Sequence, residues 1–362
     1  MKQQPWISHP LTDILFILLP AFLSLLLVFI LPGVFGNEAG LTDAGWLVLV
    51  VLIDVSHVYS TLYRTYFDPV AFQKQKSLLM GVPAAGLILG IMLYSMSALF
   101  FWRILAYLAV FHFIRQQYGF MRIYSRAEVV PAFCKKIDVV AVYTATIYPI
   151  LYWHLNGPRN FNWFLEGDFF YVSVPPIILH ILKGLYFLVV VLYVLKEIWL
   201  IVRTRKFNVP RNAVLAGTFL SWYVGIVYYN GDMAFTLLNV VSHGIPYMAL
   251  VWIHGNKTKE KRERTTSLLR FVYHPYGIGL FLLIIFLFAY LEESLWDILV
   301  WKEHGMVLLS GLFPVIQLPA DILSMMVPIL ALPQLTHYIL DAFIWRIKKD
   351  DFHWSNEVNK LT

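Results

Sequence analysis

The chain has 362 residues, of which 59% are apolar and 14% are charged, and its formal net charge is +6. About a quarter of the residues of an ordinary soluble domain are charged, so the composition excludes a single soluble core and indicates a protein partly dissolved in lipid. A disulfide scaffold is excluded because Cys134 is the only cysteine. Basic residues lie in short groups between apolar runs, which indicates membrane orientation and not nucleic acid binding.

Hydropathy predicts an all-α, polytopic membrane bundle of about ten spans, each with about 20 mostly apolar residues. We expect one integral membrane domain over residues 1–362, with no separate soluble domain. The first apolar run is longer than a signal-peptide core, so we expect it to be retained as a span. Residues 306–318 are apolar but short, and are expected to be either re-entrant or interfacial. The predicted spans are 14–32, 45–63, 78–97, 104–121, 137–156, 177–202, 212–230, 232–254, 271–291 and 319–345.

The charges of the loops support this count, because basic and non-basic loops alternate along the whole chain. Basic groups include KTKEKRER after the eighth span and Arg346 with Lys348 and Lys349 in the tail. The loop after the ninth span is predicted to be acidic, with Glu292 and Glu293. The positive-inside rule then places both termini and all basic loops in the cytoplasm.

Four predicted spans carry a polar stripe with one histidine at similar depth. An ionisable side chain in hydrocarbon costs several kcal/mol unless it is paired or lines a cavity, so such residues are functional candidates. Three of the histidines lie seven to ten residues before the basic residue that ends their span, or about 10–15 Å at 1.5 Å per residue. The fourth lies somewhat deeper. The histidines are His57, His112, His243 and His337.

Imidazoles from four helices in one layer predict a metal site, with iron favoured. Neutral imidazole is a good ligand for transition metals, and a ligating histidine usually donates its other N–H to a carboxylate or carbonyl. Asp54 and Asp341 are expected to be such partners, or ligands themselves, for His57 and His337. Arg115 and Tyr247 complete the candidate site as catalytic residues. The alternative is that these histidines are hydrogen-bonded packing residues between helices.

Single histidines spread over several helices around a lipid-buried pocket, together with the His243-Gly244 pair, resemble the membrane-embedded carotenoid-cleaving dioxygenases of the Brp/Blh family. That resemblance implies an iron ion held by histidines that activates oxygen against an apolar polyene. Membrane desaturases and hydroxylases are more distantly similar, although their clustered HxxxH and HxxHH boxes are not found here.

The favoured function is therefore a membrane-embedded, metal-dependent oxygenase or oxidase acting on a lipid, fatty-acyl or isoprenoid substrate. Molecular oxygen is the expected co-substrate and an electron-donor protein a possible partner. A bacterial inner membrane is the expected location. Two other functions stay open: a metal-free acyltransferase with His243 as general base and Asn239 orienting it, and a proton-coupled transporter that uses the polar stripes as a relay.

Overall fold

A computed structural model describes residues 4–37, 39–258, 267–274, 276–314 and 316–345, and every element in them is helical. Short helices cover Pro69–Lys74, Ser267–Val272 and Leu309–Leu312. The long helices are α1 Pro10–Ile30, α2 Asp43–Arg64, α3 Lys76–Met96, α4 Ala98–Tyr124, α5 Ala132–Leu155, α6 Pro176–Thr204, α7 Val209–Trp222, α8 Asp232–Thr258, α9 Ile278–Trp301 and α10 Ala320–Ile344.

Each of these long helices overlaps one predicted span, and all but α5 and α7 are long and apolar enough to cross a membrane. Those eight support the prediction of a membrane protein. The count of ten spans and the cytoplasmic position of the termini remain predictions. The basic residues from Lys259 to Arg264 and those after Trp345 lie outside the described residues, as does part of the segment 306–318.

The position predicted for the acidic loop after the ninth span is wrong. Helix α9 continues to Trp301, so Glu292 and Glu293 lie inside it, and both side chains are buried. The prediction ended the span at the first acidic pair. The residues that follow, from Leu295 to Trp301, are apolar except for the buried Asp297 and carry the helix two more turns.

Local signals explain where several helices begin. Thr42 and Ser97 precede α2 and α4, and their hydroxyl oxygens accept hydrogen bonds from the backbone N–H groups of Gly45 and Phe100. Such N-caps satisfy amide groups that have no partner within the helix. Helix α2 contains a π-helical stretch, Leu47–Val55, which ends just before His57. A π-helical turn changes the direction of the following side chains and is frequent at functional sites.

Helix α8 lies at the centre of the bundle, since 89% of its apolar window is buried, against 11% for α6. It packs against α1, α2 and α7. Its contact with α2 is very close at Gly244, where a Cβ atom would lie 2.9 Å from Cγ2 of Ile53 and 3.0 Å from its carbonyl oxygen. Glycine is therefore required next to His243 for the two helices to bring their histidines together.

A buried charge network joins α5, α6 and α7 away from the histidines. Lys196 contacts the carboxylates of Asp138 and Glu197. Arg211 contacts the same two carboxylates and also Glu128, at 2.7 Å. Lys196 and Glu197 interrupt the apolar sequence of the predicted sixth span. The network explains why both charges can be buried there, since each has an opposite charge beside it.

Candidate metal centre

Four histidines from four helices meet at one buried point. His57 comes from α2, His112 from α4, His243 from α8 and His337 from α10, and each is at most 1% exposed. Their Nε2 atoms face one another: His112 lies 3.1 Å from His243 and 3.0 Å from His337, and His243 lies 3.1 Å from His57. One nitrogen from each ring lies within 4.8 Å of the others, so the group can hold a metal ion.

The four rings are arranged in a flattened, nearly square group. In the order His57, His243, His112 and His337, neighbouring ring centroids are 4.4 to 4.9 Å apart. The opposite pair, His57 and His112, is 6.2 Å apart. A tetrahedral zinc site would make all these separations similar, whereas a square makes the diagonal about 1.4 times the edge. The arrangement of the rings therefore departs from that of a tetrahedral zinc site.

The Nδ1 atoms point outward to polar partners on three of the rings. Nδ1 of His57 lies 3.5 Å from Asp54, one helical turn earlier, as predicted. Asp341 was expected beside His337, but its carboxylate lies 3.4 Å from Nδ1 of His112 instead. Nδ1 of His337 lies 2.7 Å from the Thr61 hydroxyl. Both carboxylates thus lie behind the imidazoles and outside the group of four nitrogens.

Asp341 lies beside His112, and not beside His337, for a geometric reason. An i, i+4 spacing puts His337 and Asp341 on one face of α10, but in the bundle that face contacts both α2 and α4. His337 reaches Thr61 on α2, and Asp341 reaches His112 on α4. Thr61 is a partner that the sequence analysis does not name, although it lies one turn after His57 on the same face of α2.

His243 is held differently from the other three histidines. Its ring stacks on Phe113, with centroids 3.6 Å apart and planes 7° apart. Gln116 donates from Nε2 to the His243 carbonyl oxygen at 2.8 Å, and so fixes this part of α8 against α4. The Asn239 side chain, which the acyltransferase hypothesis assigns to orienting His243, donates instead to the carbonyl of Phe235.

The two candidate catalytic residues occupy different places. The Tyr247 ring lies over one side of the histidine group, with centroids 5.1 Å from His337, 5.7 Å from His57 and 6.4 Å from His112. Arg115 donates to the Tyr143 hydroxyl at 2.9 Å, so its guanidinium contacts α5. Tyr247 therefore belongs to the surroundings of the site more directly than Arg115.

The charges around the group suit a divalent cation. Four neutral imidazoles bring no negative charge, so a 2+ ion among them would keep its full charge in a medium of low dielectric constant, at a high cost. Asp54 and Asp341 stand directly behind two of the rings and can supply two negative charges. Without a cation, two carboxylates close to four histidines would be an expensive arrangement in a membrane-spanning region.

An apolar cavity of about 210 Å³ lies between α3, α4 and α10. Its wall includes Leu108, one turn before His112, and Leu335 and Ile339 on either side of His337 in the sequence. Gly86 and Gly90 form part of the opposite wall, on α3. The lining residues are all apolar or glycine, so the cavity is suited to a hydrocarbon chain.

The chain was compared with protein-family models, curated proteins and solved structures, and none of them matches it.

Proposed function

We propose that this protein is an integral membrane metalloenzyme, an iron-dependent oxygenase or oxidase that acts on a lipid, fatty-acyl or isoprenoid substrate. The observation that carries the proposal is the convergence of four buried Nε2 atoms from four helices. A packing role would place each histidine against a different polar partner. Here the four rings turn the same nitrogen towards one point.

Imidazole nitrogen suits iron, copper, nickel and zinc, and the flattened arrangement departs from the tetrahedron usual for structural zinc. Iron is proposed over copper and nickel for its chemistry: held by the four histidines, it would supply the activation of molecular oxygen, which is the proposed co-substrate. The residues of the chain would then hold the ion, exclude water and position the substrate.

The proposed substrate class follows from the apolar cavity. Leu108 lies one turn before His112 on α4, so a hydrocarbon chain in this cavity would contact the helix that holds one of the four histidines. A bacterial inner membrane is the proposed location. An electron-donor protein is the proposed partner if the reaction consumes electrons beyond those of the substrate.

Metal quantification on anaerobically purified protein tests the proposal. We expect about one iron per chain in the wild type, as for a single four-nitrogen site. His112→Ala and His337→Ala should each lose most of the metal. His154→Ala is the matched control, because His154 bonds the Tyr107 hydroxyl at 2.6 Å outside the group and should retain it. Near-zero metal in all four proteins would refute a metalloenzyme, and tightly bound zinc alone would refute the oxygenase.

The substrate class has a separate test. Leu108→Trp fills part of the cavity without touching the four nitrogens, and we expect normal metal content but weaker labelling by a photoreactive fatty acid. Phe111→Trp changes an exposed residue on the same helix and serves as the control. Equal labelling of the Leu108→Trp variant and the wild type would contradict the assignment of the cavity.

A further inference from the structure

A line of hydrogen-bonding groups runs from His337 to the end of α10. Nδ1 of His337 lies 2.7 Å from the Thr61 hydroxyl, and the Thr61 hydroxyl lies 3.1 Å from the Tyr247 hydroxyl. The Trp345 indole N–H donates to the same Tyr247 oxygen at 3.3 Å. Thr61 is 4% exposed and Tyr247 is 1% exposed, so these groups have little access to water and depend on one another.

The direction of each hydrogen bond follows from the orientation of the His337 ring. Its Nε2 faces the other histidines, so in a neutral, ligating imidazole the proton is on Nδ1 and is donated to Thr61. The Thr61 hydroxyl then donates its own hydrogen to the Tyr247 oxygen. That oxygen then accepts from both Thr61 and Trp345.

The hydrogen of the Tyr247 hydroxyl therefore requires an acceptor of its own. The Asp341 carboxylate lies beside this hydroxyl, and its Oδ1 is buried without a hydrogen-bond partner among the described residues. The other oxygen, Oδ2, lies 3.4 Å from Nδ1 of His112. One carboxylate can thus accept a hydrogen bond from Tyr247 on one side and face the N–H of a second histidine on the other.

The geometry points to a closed circuit in which Thr61, Tyr247 and Asp341 connect His337 to His112 and hold both rings with Nε2 turned towards the metal. This inference rests on the proposed metal site and adds Thr61 and Tyr247 as positioning residues for it. The Tyr247 hydroxyl contacts the Thr61 hydroxyl, and the Tyr247 ring lies 5.1 Å from the His337 ring. Its role is to link the two halves of the circuit.

Metal affinity of hydroxyl variants tests the circuit. Co²⁺ alone is the probe for affinity, measured against a chelator of known strength, and Cu²⁺ alone is the probe for electron paramagnetic resonance. Thr61→Val keeps the size of the side chain but removes the hydroxyl, and we expect affinity to fall about 10- to 100-fold with a changed Cu²⁺ spectrum. Thr61→Ser should restore both. Tyr247→Phe should change the spectrum in the same direction with a smaller loss of affinity.

Thr218→Val is the matched control, because the buried Thr218 hydroxyl bonds Gln117 at 3.1 Å and bonds none of the four histidines. It should bind both ions as the wild type does. Wild-type affinity and spectrum in a folded Thr61→Val protein would overturn the circuit. So would failure of Thr61→Ser to restore them.

A second measurement separates this inference from the proposed function. If the wild type binds neither ion, the metal site is refuted, but ¹⁵N-histidine NMR of the metal-free protein still decides the circuit. The His337 signal, assigned by its loss in His337→Gln, should report a proton on Nδ1, and Thr61→Val should shift it. A proton on Nε2, or no shift in the variant, would overturn the circuit.

Discussion

The buried charge network offers a demanding prediction about stability. Lys196 and Arg211 form ion pairs with three carboxylates, those of Asp138, Glu197 and Glu128. In Lys196→Met the methylene stem keeps most of its packing, but Arg211 alone would face three negative charges. Breaking a buried pair by removing one partner costs about 3–5 kcal/mol, because a charge is left uncompensated. We expect a loss of that size in the free energy of unfolding.

The assay is unfolding in mixed detergent micelles by titration with dodecyl sulfate, followed by tryptophan fluorescence and circular dichroism. Lys183→Met is the matched control: Lys183 lies on the same helix but is exposed, so its loss should cost no more than about 0.5 kcal/mol. Adding Asp138→Asn to Lys196→Met removes one of the uncompensated charges and should recover at least about 1 kcal/mol. If Lys196→Met unfolds within about 1 kcal/mol of the wild type, the network does not stabilise the fold as argued.

Three further predictions concern the contact of α2 with α8, the pH dependence of stability, and metal removal. Gly244→Val should lower the free energy of unfolding by about 1–3 kcal/mol, because the new side chain would overpack against Ile53. Gly184→Val places its side chain in open space and should have no such effect. Equal stability of the two variants in the same titration would contradict this prediction. Burial raises the pKa of Glu128 above its usual 4.5, so between these two pKa values the folded protein holds a proton that the unfolded chain has lost. The free energy of unfolding should therefore fall as pH rises from about 4.5 through the raised pKa. Glu128→Gln should flatten that part of the pH dependence, and an unchanged slope would contradict the role of Glu128. With free metal at 100 times the dissociation constant, bound metal should add about 2.7 kcal/mol to the free energy of unfolding, and a chelator should remove this contribution. The same chelator should not change the stability of His337→Ala. An equal loss in both proteins would indicate a general effect of the chelator and contradict the prediction.

Much of the candidate site is predictable from the sequence because helices convert spacing into position. The polar stripes and the distance of each histidine from the end of its span place His57, His112, His243 and His337 in one layer. The structure brings these four together. The partners behind them are harder to predict, because they depend on how each helix is rotated about its axis. That rotation places Asp341 beside His112, and Thr61 beside His337.

The fold shows the same division between local and non-local information. Apolar length locates the long helices to within several residues, since crossing hydrocarbon requires about 20 residues. Apolar length misplaces the end of α9, because an acidic pair such as Glu292 and Glu293 is typical of a loop, but here both residues are buried within the helix. The network around Lys196 had a visible signal, two adjacent charges inside an apolar run. Its partners on α5 and α7 become apparent only from the packing of three helices.

X-ray absorption at the metal edge of purified protein tests the central claim most directly. The four-histidine group predicts about four nitrogen neighbours near 2.0–2.2 Å, with the multiple-scattering features of imidazole rings. His337→Ala should remove about one of these neighbours, and His154→Ala none. A metal surrounded by oxygen or sulfur, or by fewer than three imidazoles, would contradict the account.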